Sequence, residues 1–265
     1  MNMEWLEQLL GKEWKVMPAG GATGDAYIAH NEHHKIFLKR NSSPFLAVLS
    51  AEGIVPKLLW TRRLTNGDVI SAQRWLPGQK LEPEDMNSKR VAALLKKIHS
   101  SEALVHMIQK LGKQPLHAQD ILEEVLLTLQ EDVKQNEVIQ KGLQYLQKSL
   151  QNVEFEHLAV CHCDVNHNNW LVTDDNELFL IDWDGAVIAD PALDIGMLLH
   201  WYVPRDEWHE WLEHYGLGFT DSLLSRMKWY VTLQCMIFVQ LYRTKNKQVE
   251  AEYWLQYLMQ LLASE

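Results

Sequence analysis

Two short stretches of the chain carry carboxylate and amide side chains at close spacing. His162–Asn169 has the sequence HCDVNHNN, which includes Asp164, and Ile181–Asp184 has the sequence IDWD, which includes Asp182. Phosphoryl transfer needs an acceptor hydroxyl held in line and Mg²⁺ ions that neutralise the phosphates, and Mg²⁺ prefers hard oxygen ligands. These residue types predict that Asp164 accepts or orients the hydroxyl proton, and that Asn169 and Asp182 hold the metal.

The position of Asp182 strengthens the metal hypothesis. It follows the apolar run Leu178–Ile181, which predicts a buried strand. An ionised carboxylate in a buried strand is costly without a partner, and a metal ion would provide one. The alternative is a loop rich in Asp and Asn because turns favour these residues, and this explains Asp174, Asp175 and Asn176 well.

The elements that must position these residues change in character near Trp75. Before it, short apolar runs alternate with turn signals such as Asn66-Gly67, which predicts antiparallel strands. A helical stretch, Phe45–Glu52, interrupts them. Residues 1–75 are therefore predicted to form a small antiparallel-sheet domain.

Helical periodicity dominates the remainder, residues 76–265. It predicts helices over Ile121–Val133 and Val138–Leu150, among others. Residues 158–184 break this pattern with short strand-like pieces, and such islands tend to present polar residues from a rigid scaffold. The predicted fold class is α+β, with a small antiparallel-sheet part followed by a larger and mainly helical part.

A glycine-rich segment lies between two predicted strands near the start of the chain. Pro18–Asp25 has the sequence PAGGATGD. Glycine lets the backbone approach phosphates closely, and its N–H groups can bind them, although a plain tight turn is the alternative. A Rossmann turn is excluded because a strand follows instead of a helix, and the chain contains no G-x-x-x-x-G-K-[ST] motif.

The charge of the chain is negative and unevenly distributed. Residues 1–75 contain 9 Lys/Arg and 7 Asp/Glu, a net charge of +2, whereas residues 76–265 contain 16 and 28, a net charge of −12. An acidic surface repels nucleic acid and anionic membranes and favours cations. It suggests Mg²⁺ or a positively charged substrate, and a solvated acidic surface is the alternative. We expect no nucleic-acid or membrane partner.

The cysteines predict a reducing compartment. Cys161, Cys163 and Cys235 cannot all pair with one another, so a disulfide framework is not expected. The sequence MNMEWLEQLL does not resemble a signal peptide, and no apolar run reaches the length of a membrane span. A cytoplasmic protein is therefore expected. Zinc binding by Cys161, Cys163 and neighbouring histidines is disfavoured because no second ligand pair is apparent.

Three motifs together resemble one known superfamily. They are H-x-D-x-x-x-x-N at His162–Asn169, I-D-W-D at Ile181–Asp184 and D-P-A-x-D at Asp190–Asp194. In this order and spacing they resemble the aminoglycoside phosphotransferase and choline kinase superfamily, whose members are relatives of the protein kinases. The run CHCDVNHNNW is similar to YtmP-type bacterial phosphotransferases. The resemblance implies a bilobal protein-kinase-like fold, with ATP and Mg²⁺ as cofactors, and roles for His162 and Asp194 in bracing the catalytic loop.

The resemblance also implies roles for residues outside these motifs. Lys39 would bind phosphate from the third strand, and strand alternation puts Arg40 on the opposite face. The remaining nucleotide contacts implied are Gly21, Thr23 and Gly24 at the phosphates, Trp75 at the hinge between lobes and Leu171 beneath the adenine. One family feature is missing: the glutamate that often pairs with the lysine would fall near Ser42–Pro44, which contains no acid.

The predicted function is ATP- and Mg²⁺-dependent phosphorylation of a small-molecule hydroxyl. A cationic amino-alcohol, resembling choline, an aminoglycoside or thiamine, is favoured as the substrate, and sugars remain open. A non-catalytic nucleotide-binding regulatory protein is one alternative, supported by the missing glutamate. A protein kinase is another, disfavoured because no D-F-G to A-P-E segment is present. The sequence does not indicate an oligomeric state.

Overall fold

The computed structural model describes residues 9–19 and 25–263 of the chain. They form two compact units. One holds the described residues up to Leu81 together with Asn168–Asp184, and the other holds Glu82–His167 with the residues from Gly185 onward. The division into domains 1–75 and 76–265 stays a prediction. The compact units differ from it because Asn168–Asp184 belongs to the same unit as the N-terminal strands.

Strands and helices are numbered along the described part of the chain. The strands are β1 (Lys15–Pro18), β2 (Ala26–His30), β3 (Lys35–Arg40), β4 (Leu58–Arg63), β5 (Val69–Arg74), β6 (Gly78–Lys80), β7 (Ala159–Cys161), β8 (Trp170–Thr173), β9 (Leu178–Leu180) and β10 (Val187–Ala189). The helices are α1 (Phe45–Ala51), α2 (Lys89–His99), α3 (Glu102–Lys110), α4 (Ala118–Thr128), α5 (Glu131–Lys134), α6 (Glu137–Ser149), α7 (Ala192–Tyr202), α8 (Trp208–Tyr215), α9 (Asp221–Thr244) and α10 (Gln248–Ala263). Short 3₁₀ turns span Pro83–Asn87, Leu150–Asn152, His167–Asn169 and Arg205–Glu207.

The first unit contains a five-stranded antiparallel sheet in the order β1-β2-β3-β5-β4. Successive side chains of a strand point to opposite faces. Ile36 and Leu38 of β3 are buried, and they share one core cluster with Tyr27 and Ile70. Lys39 follows Leu38 and therefore points to the face opposite that core.

Helix α1 connects β3 to β4 and confirms the helix predicted over Phe45–Glu52. Phe45 and Leu49 are its buried residues. The Phe45 ring lies edge-on to Trp183, with ring centroids 5.8 Å apart. The chain leaves the helix through Gly53, whose φ of 66° is accessible to glycine at little cost. Helix α1 thus packs against the segment that carries Asp182.

A second, three-stranded sheet completes the first unit, in the order β6-β8-β9. The backbone N–H of Leu180 donates to the oxygen of Ile54 at 3.0 Å, which ties β9 to the end of the α1 connection. β6 lies so close to β8 that a Cβ added at Gly78 would collide with the backbone oxygen of Val172. Glycine at position 78 therefore allows the pairing that holds β8 in place.

The second unit is mainly helical, with β7 and β10 paired antiparallel. Trp211 and Trp229 are fully buried in its interior. The indole N–H of Trp229 donates to the backbone oxygen of Leu146 at 3.0 Å, which satisfies its polar group. Among the described residues, no helix combines the length and apolar character needed to cross a membrane.

The helix predicted over Ile121–Val133 is wrong as a single element. Helix α4 ends at Thr128, and Leu129 is extended, with φ −60° and ψ 128°. The side chain of Gln240 on α9 donates to the backbone oxygen of Thr128 at 3.1 Å and accepts from the N–H of Gln130 at 2.5 Å. The break is therefore stabilised by a distant side chain that local periodicity does not reveal.

We expect Gly78→Ala to lower the free energy of unfolding by about 1–3 kcal/mol, because the new methyl group pushes β6 away from β8. Gly218→Ala is the matched control, since a Cβ there meets only Cγ2 of Thr220 at 3.8 Å. Its effect should stay within about 0.5 kcal/mol. Urea denaturation followed by circular dichroism measures both, and equal stability of the two variants would contradict the close approach.

Candidate active site

Asp164 follows a buried strand and a left-handed turn. His162 is fully buried after the end of β7, and Cys163 has a φ of 66°. Few residues other than glycine adopt this conformation. Beyond the turn Asp164 is exposed, and its backbone N–H donates to Nδ1 of His162 at 3.3 Å. This bond agrees with the expected bracing role of His162.

A buried carboxylate holds the backbone of this turn. Asp194 of α7 is 0% exposed, and its Oδ2 and Oδ1 accept hydrogen bonds from the N–H groups of His162 at 2.7 Å and Cys163 at 2.9 Å. Nε2 of His99 lies 3.1 Å from Oδ2, and Nδ1 of His99 lies 2.8 Å from the hydroxyl of Tyr215. Burial raises the pKa of Tyr215, so this hydroxyl stays neutral. The expected bracing role of Asp194 is thus matched by direct contacts.

The remainder of the loop is also anchored by side chains. The amide of Asn166 donates to Oδ1 of Asp164. The backbone N–H of His167 donates to the hydroxyl of Tyr202 at 3.2 Å, and Nδ1 of His167 lies 3.1 Å from the same oxygen. Tyr202, on α7, was not singled out in the sequence because nothing local indicates its contact with the loop.

Asn169 and Asp182 flank the paired strands β8 and β9. Asn169 immediately precedes β8, and its backbone oxygen accepts from the N–H of Ile181 at 2.8 Å. The register pairs Trp170 with Leu180, so the residues that follow β9 lie beside those that precede β8. One hairpin therefore carries both predicted metal ligands.

The expectation that Asp182 is buried is wrong. β9 ends at Leu180, and the side chain of Asp182 is 60% exposed. Its φ is 68°, a left-handed conformation that Asp tolerates better than most residues and that is frequent at functional sites. The case for a metal depends instead on donor chemistry. The carboxylate of Asp182 and the amide of Asn169 provide the hard oxygen atoms that suit Mg²⁺.

Lys39 is held by two carboxylates of the same unit. Its Nζ lies 2.9 and 2.8 Å from the two carboxylate oxygens of Asp184, and 3.7 Å from Oδ1 of Asp182. Asp184 thus gives Lys39 an acidic partner, where the sequence lacks the helix glutamate. Its spacing of two residues from Asp182 is the signal that could have indicated this contact.

Arg40 points away from this cluster, as strand alternation predicts. Its Nε lies 2.9 Å from Oδ2 of Asp68. Hydrogen bonds from Asn41 and Arg40 lower the pKa of Asp68. The sequence favours Lys39 over Arg40 as the phosphate-binding residue. The structure agrees in that Lys39 lies near Asp182, whereas Arg40 contacts Asp68.

Of the other predicted nucleotide contacts, Trp75 and Leu171 lie within the described residues. Gly21, Thr23 and Gly24 lie outside the described residues. Trp75 follows β5, and Nζ of Lys35 lies 4.1 Å from the centroid of its ring. Leu171 is half-buried on β8, where it pairs with Phe179 and Lys80.

The geometry also argues against a thiolate metal site. Among the described residues, His99, Cys161 and Asp194 form the one group of three potential ligands within reach of a single ion. Burial raises the pKa of the Cys161 thiol well above its usual value. The thiol donates to the backbone oxygen of Asp190 at 3.4 Å. Asp194 is already engaged by the loop.

Within the first unit the structure therefore brings together Lys39, Asp182 and Asp184, with Asn169 on the same hairpin as Asp182. Asp164 belongs to the second unit and immediately follows the turn held by Asp194. The predicted roles of these residues stay predictions.

Comparisons with known proteins bear on the family and the fold. The sequence model of the "Phosphotransferase enzyme family" matches residues 17–230. The fold is similar to choline kinase LicA from Streptococcus pneumoniae, with 19% identity, coverage of 99% of this chain and 98% of that chain, and a TM-score of 0.74. It is also similar to spectinomycin phosphotransferase APH(9)-Ia in complex with ADP and spectinomycin, with 15% identity, coverage of 100% and 98%, and a TM-score of 0.72. The predicted kinase-like α+β fold class is confirmed, and the YtmP-type subgroup stays a prediction.

We expect Asp194→Ala to lower the free energy of unfolding by about 3 kcal/mol, because it removes the acceptor of the buried His162 N–H and of the partly buried Cys163 N–H. Asp175→Ala is the matched control, since Asp175 is exposed in a turn, and its effect should stay within about 0.5 kcal/mol. Urea denaturation measures both. Wild-type stability of Asp194→Ala would show that the carboxylate does not support the loop.

Proposed function

Because the chain belongs to the phosphotransferase enzyme family, we propose that it transfers the terminal phosphoryl group of ATP to a hydroxyl of a small molecule, with Mg²⁺ as the metal. The observation that carries this proposal is the contact of the Lys39 ammonium with the carboxylates of Asp184 and Asp182. A cation on a strand beside paired carboxylates suits a phosphate chain and its metal.

At the phosphates, Lys39 binds anionic oxygens and Asp184 orients the ammonium. Asn169 and Asp182 are the proposed Mg²⁺ ligands, and Mg²⁺, when bound, neutralises charge on the phosphates. The net charge of one ammonium and two carboxylates is negative, so the cluster favours the addition of a cation. Asp184 therefore positions Lys39, which the sequence left without an acidic partner.

Asp164 is the proposed catalytic residue at the acceptor. Its carboxylate accepts the proton of the attacking hydroxyl as the new O–P bond forms, and the leaving nucleotide takes the electrons of the broken bond. The turn held by Asp194 keeps Asp164 exposed to solvent and hence accessible to a substrate. Positioning of this kind supplies much of the catalysis in phosphoryl transfer.

The remaining nucleotide contacts are proposed from the family resemblance. Gly21, Thr23 and Gly24 would cover the phosphates, the backbone near Trp75 would pair with adenine, and Leu171 would pack beneath it. The similar LicA structure was crystallised with AMP, and the similar APH(9)-Ia structure with ADP, which supports an adenine nucleotide. Residues 1–75 would act as the nucleotide-binding lobe and residues 76–265 as the lobe for the substrate.

A cationic amino-alcohol is the proposed substrate class. The net charge of −12 in residues 76–265 favours a positively charged acceptor. The similar solved structures include a choline kinase and a spectinomycin phosphotransferase. The three cysteines are free thiols, which is consistent with a reducing compartment and with the cytoplasmic location that we propose.

A non-catalytic regulatory role is less favoured. Its support was the missing glutamate partner of Lys39, and the contact with Asp184 weakens that support because Lys39 does have an acidic partner. Phosphorylation of proteins has no supporting feature in the sequence, which lacks a D-F-G to A-P-E segment.

We expect ATP consumption by the wild-type protein to rise with some members of a panel of cationic amino-alcohols, and turnover to fall by ~10²–10⁴ in Asp164→Ala, because the proton acceptor is lost. GTP is assayed in parallel. Asp175→Ala changes an exposed residue in the turn between β8 and β9, for which no catalytic or metal-binding role is proposed, and it should retain wild-type turnover. Equal turnover of Asp164→Ala and wild type would refute the catalytic role.

We expect Asp182→Asn to weaken the binding of Mg·ATP at least about tenfold, because it removes the charged metal ligand while keeping a residue that tolerates a left-handed φ. Isothermal titration calorimetry with and without Mg²⁺ measures this loss. Asp175→Asn is the control for the removal of one negative charge. An affinity of Asp182→Asn equal to that of wild type would exclude Asp182 as a ligand.

A further inference from the structure

The second unit contains a cavity that none of the proposed catalytic, metal or nucleotide residues lines. Its volume is about 350 Å³, within the usual range for small-molecule sites. Apolar walls come from residues such as Phe155, Ile195 and Leu223, and polar groups come from Asp190 and Arg226. A mixture of apolar walls and a few converging polar groups is typical of ligand sites.

The polar part of this cavity is a buried ion pair. Nη1 of Arg226 lies 2.5 Å from Oδ1 of Asp190, and the two side chains are 8% and 1% exposed. The guanidinium carbon of Arg226 lies 3.7 Å from the centroid of the Phe155 ring. The pair is therefore fixed on both sides, by a charge-assisted hydrogen bond and by a stacked ring.

Two polar atoms of this pair have no hydrogen-bond partner among the described residues. Oδ2 of Asp190 and Nε of Arg226 are buried, and neither has a partner within the described part of the chain. A buried polar atom without a partner is costly, which makes each of these atoms a strong point of attraction for a complementary group. Each of these atoms belongs to a planar group that the ion pair already holds in place.

We propose that this cavity binds a small molecule that presents a neutral carboxamide or cyclic amide to Asp190 and Arg226. The amide oxygen accepts from Nε of Arg226, and the amide N–H donates to Oδ2 of Asp190. The apolar walls enclose an attached ring or aliphatic group. The paired charges disfavour simple ions, since a carboxylate would be repelled by Asp190 and an ammonium by Arg226.

The cavity also contacts the network that braces the catalytic loop. His99 and Tyr215 line it, and His99 bonds to Asp194, whose carboxylate accepts from the loop backbone. The ring resonances of His99 therefore report on an occupant of this cavity. This report does not require the enzyme to be active, so the test is independent of the proposed phosphotransferase function.

Benzamide, N,N-dimethylbenzamide and benzoate form a matched set of probes, used with the full chain in NMR titrations. We expect benzamide to bind with a Kd of about 1–10 mM, as expected for so small a ligand, and to shift the His99 ring resonances. N,N-Dimethylbenzamide lacks the N–H donor and benzoate carries a charge. Both should bind at least about tenfold more weakly.

The location is tested by Gly218→Trp. Gly218 lines the cavity and is exposed, and a Cβ there has room, so a tryptophan should cover the opening without disturbing the buried pair. We expect benzamide binding to be lost in this variant and kept in Lys141→Trp, where an exposed residue of α6 receives the same ring. The probes are varied instead of Asp190 and Arg226, because removal of either residue would leave the other as an uncompensated buried charge.

Three outcomes would overturn the proposal. The first is the absence of saturable benzamide binding up to roughly 20 mM, which is well above the expected Kd. The second is an equal affinity for benzamide and N,N-dimethylbenzamide. The third is undiminished benzamide binding by Gly218→Trp. In this order, the outcomes would contradict the existence of a binding site, the hydrogen bond from the amide to Asp190, and the location of the site in this cavity.

Discussion

The hydrogen bonds of the Asp194 carboxylate are the interaction on which the geometry of the His162–Asn169 loop, the proposed catalytic loop, depends. An ionised group removed from water must be compensated, and here the compensation comes from backbone N–H groups of His162 and Cys163 together with His99. Such charge-assisted bonds are strong enough to maintain a left-handed residue at Cys163. The exposed position of Asp164 is thus a consequence of a buried contact.

In the first unit the constraint is electrostatic and lies near the surface. Lys39 is 24% exposed on its side chain, whereas Asp182 and Asp184 are 60% and 63% exposed. Solvent screens contacts of this kind, so they contribute little to folding. Their value is in binding: a phosphate chain with its metal would find a lysine already oriented and carboxylates already close. Pre-organisation of this kind reduces the cost of assembling a site around a ligand.

The contact between Lys39 and Asp184 shows that an acid missing from one element can be replaced in its contact by an acid from another. A glutamate on the helix after β3 would have reached Lys39 from a nearby position in the sequence. Asp184 reaches it across 145 positions, because the β8–β9 hairpin belongs to the same compact unit as the five-stranded sheet. The same charge is thus supplied by a different element.

Local patterns were sufficient for the fold class and for the strands before Trp75, and they supplied the candidate site residues, whose roles stay predictions. Alternation and helical periodicity depend on burial of one face, and this is a property of neighbouring residues. Contacts between distant residues were beyond such patterns: Asp184 beside Lys39, and Gln240 at the interruption after α4. The exposure of Asp182 was also decided in three dimensions, because a strand ends where its hydrogen-bonded partner does, and that partner is chosen by the packing of the whole unit.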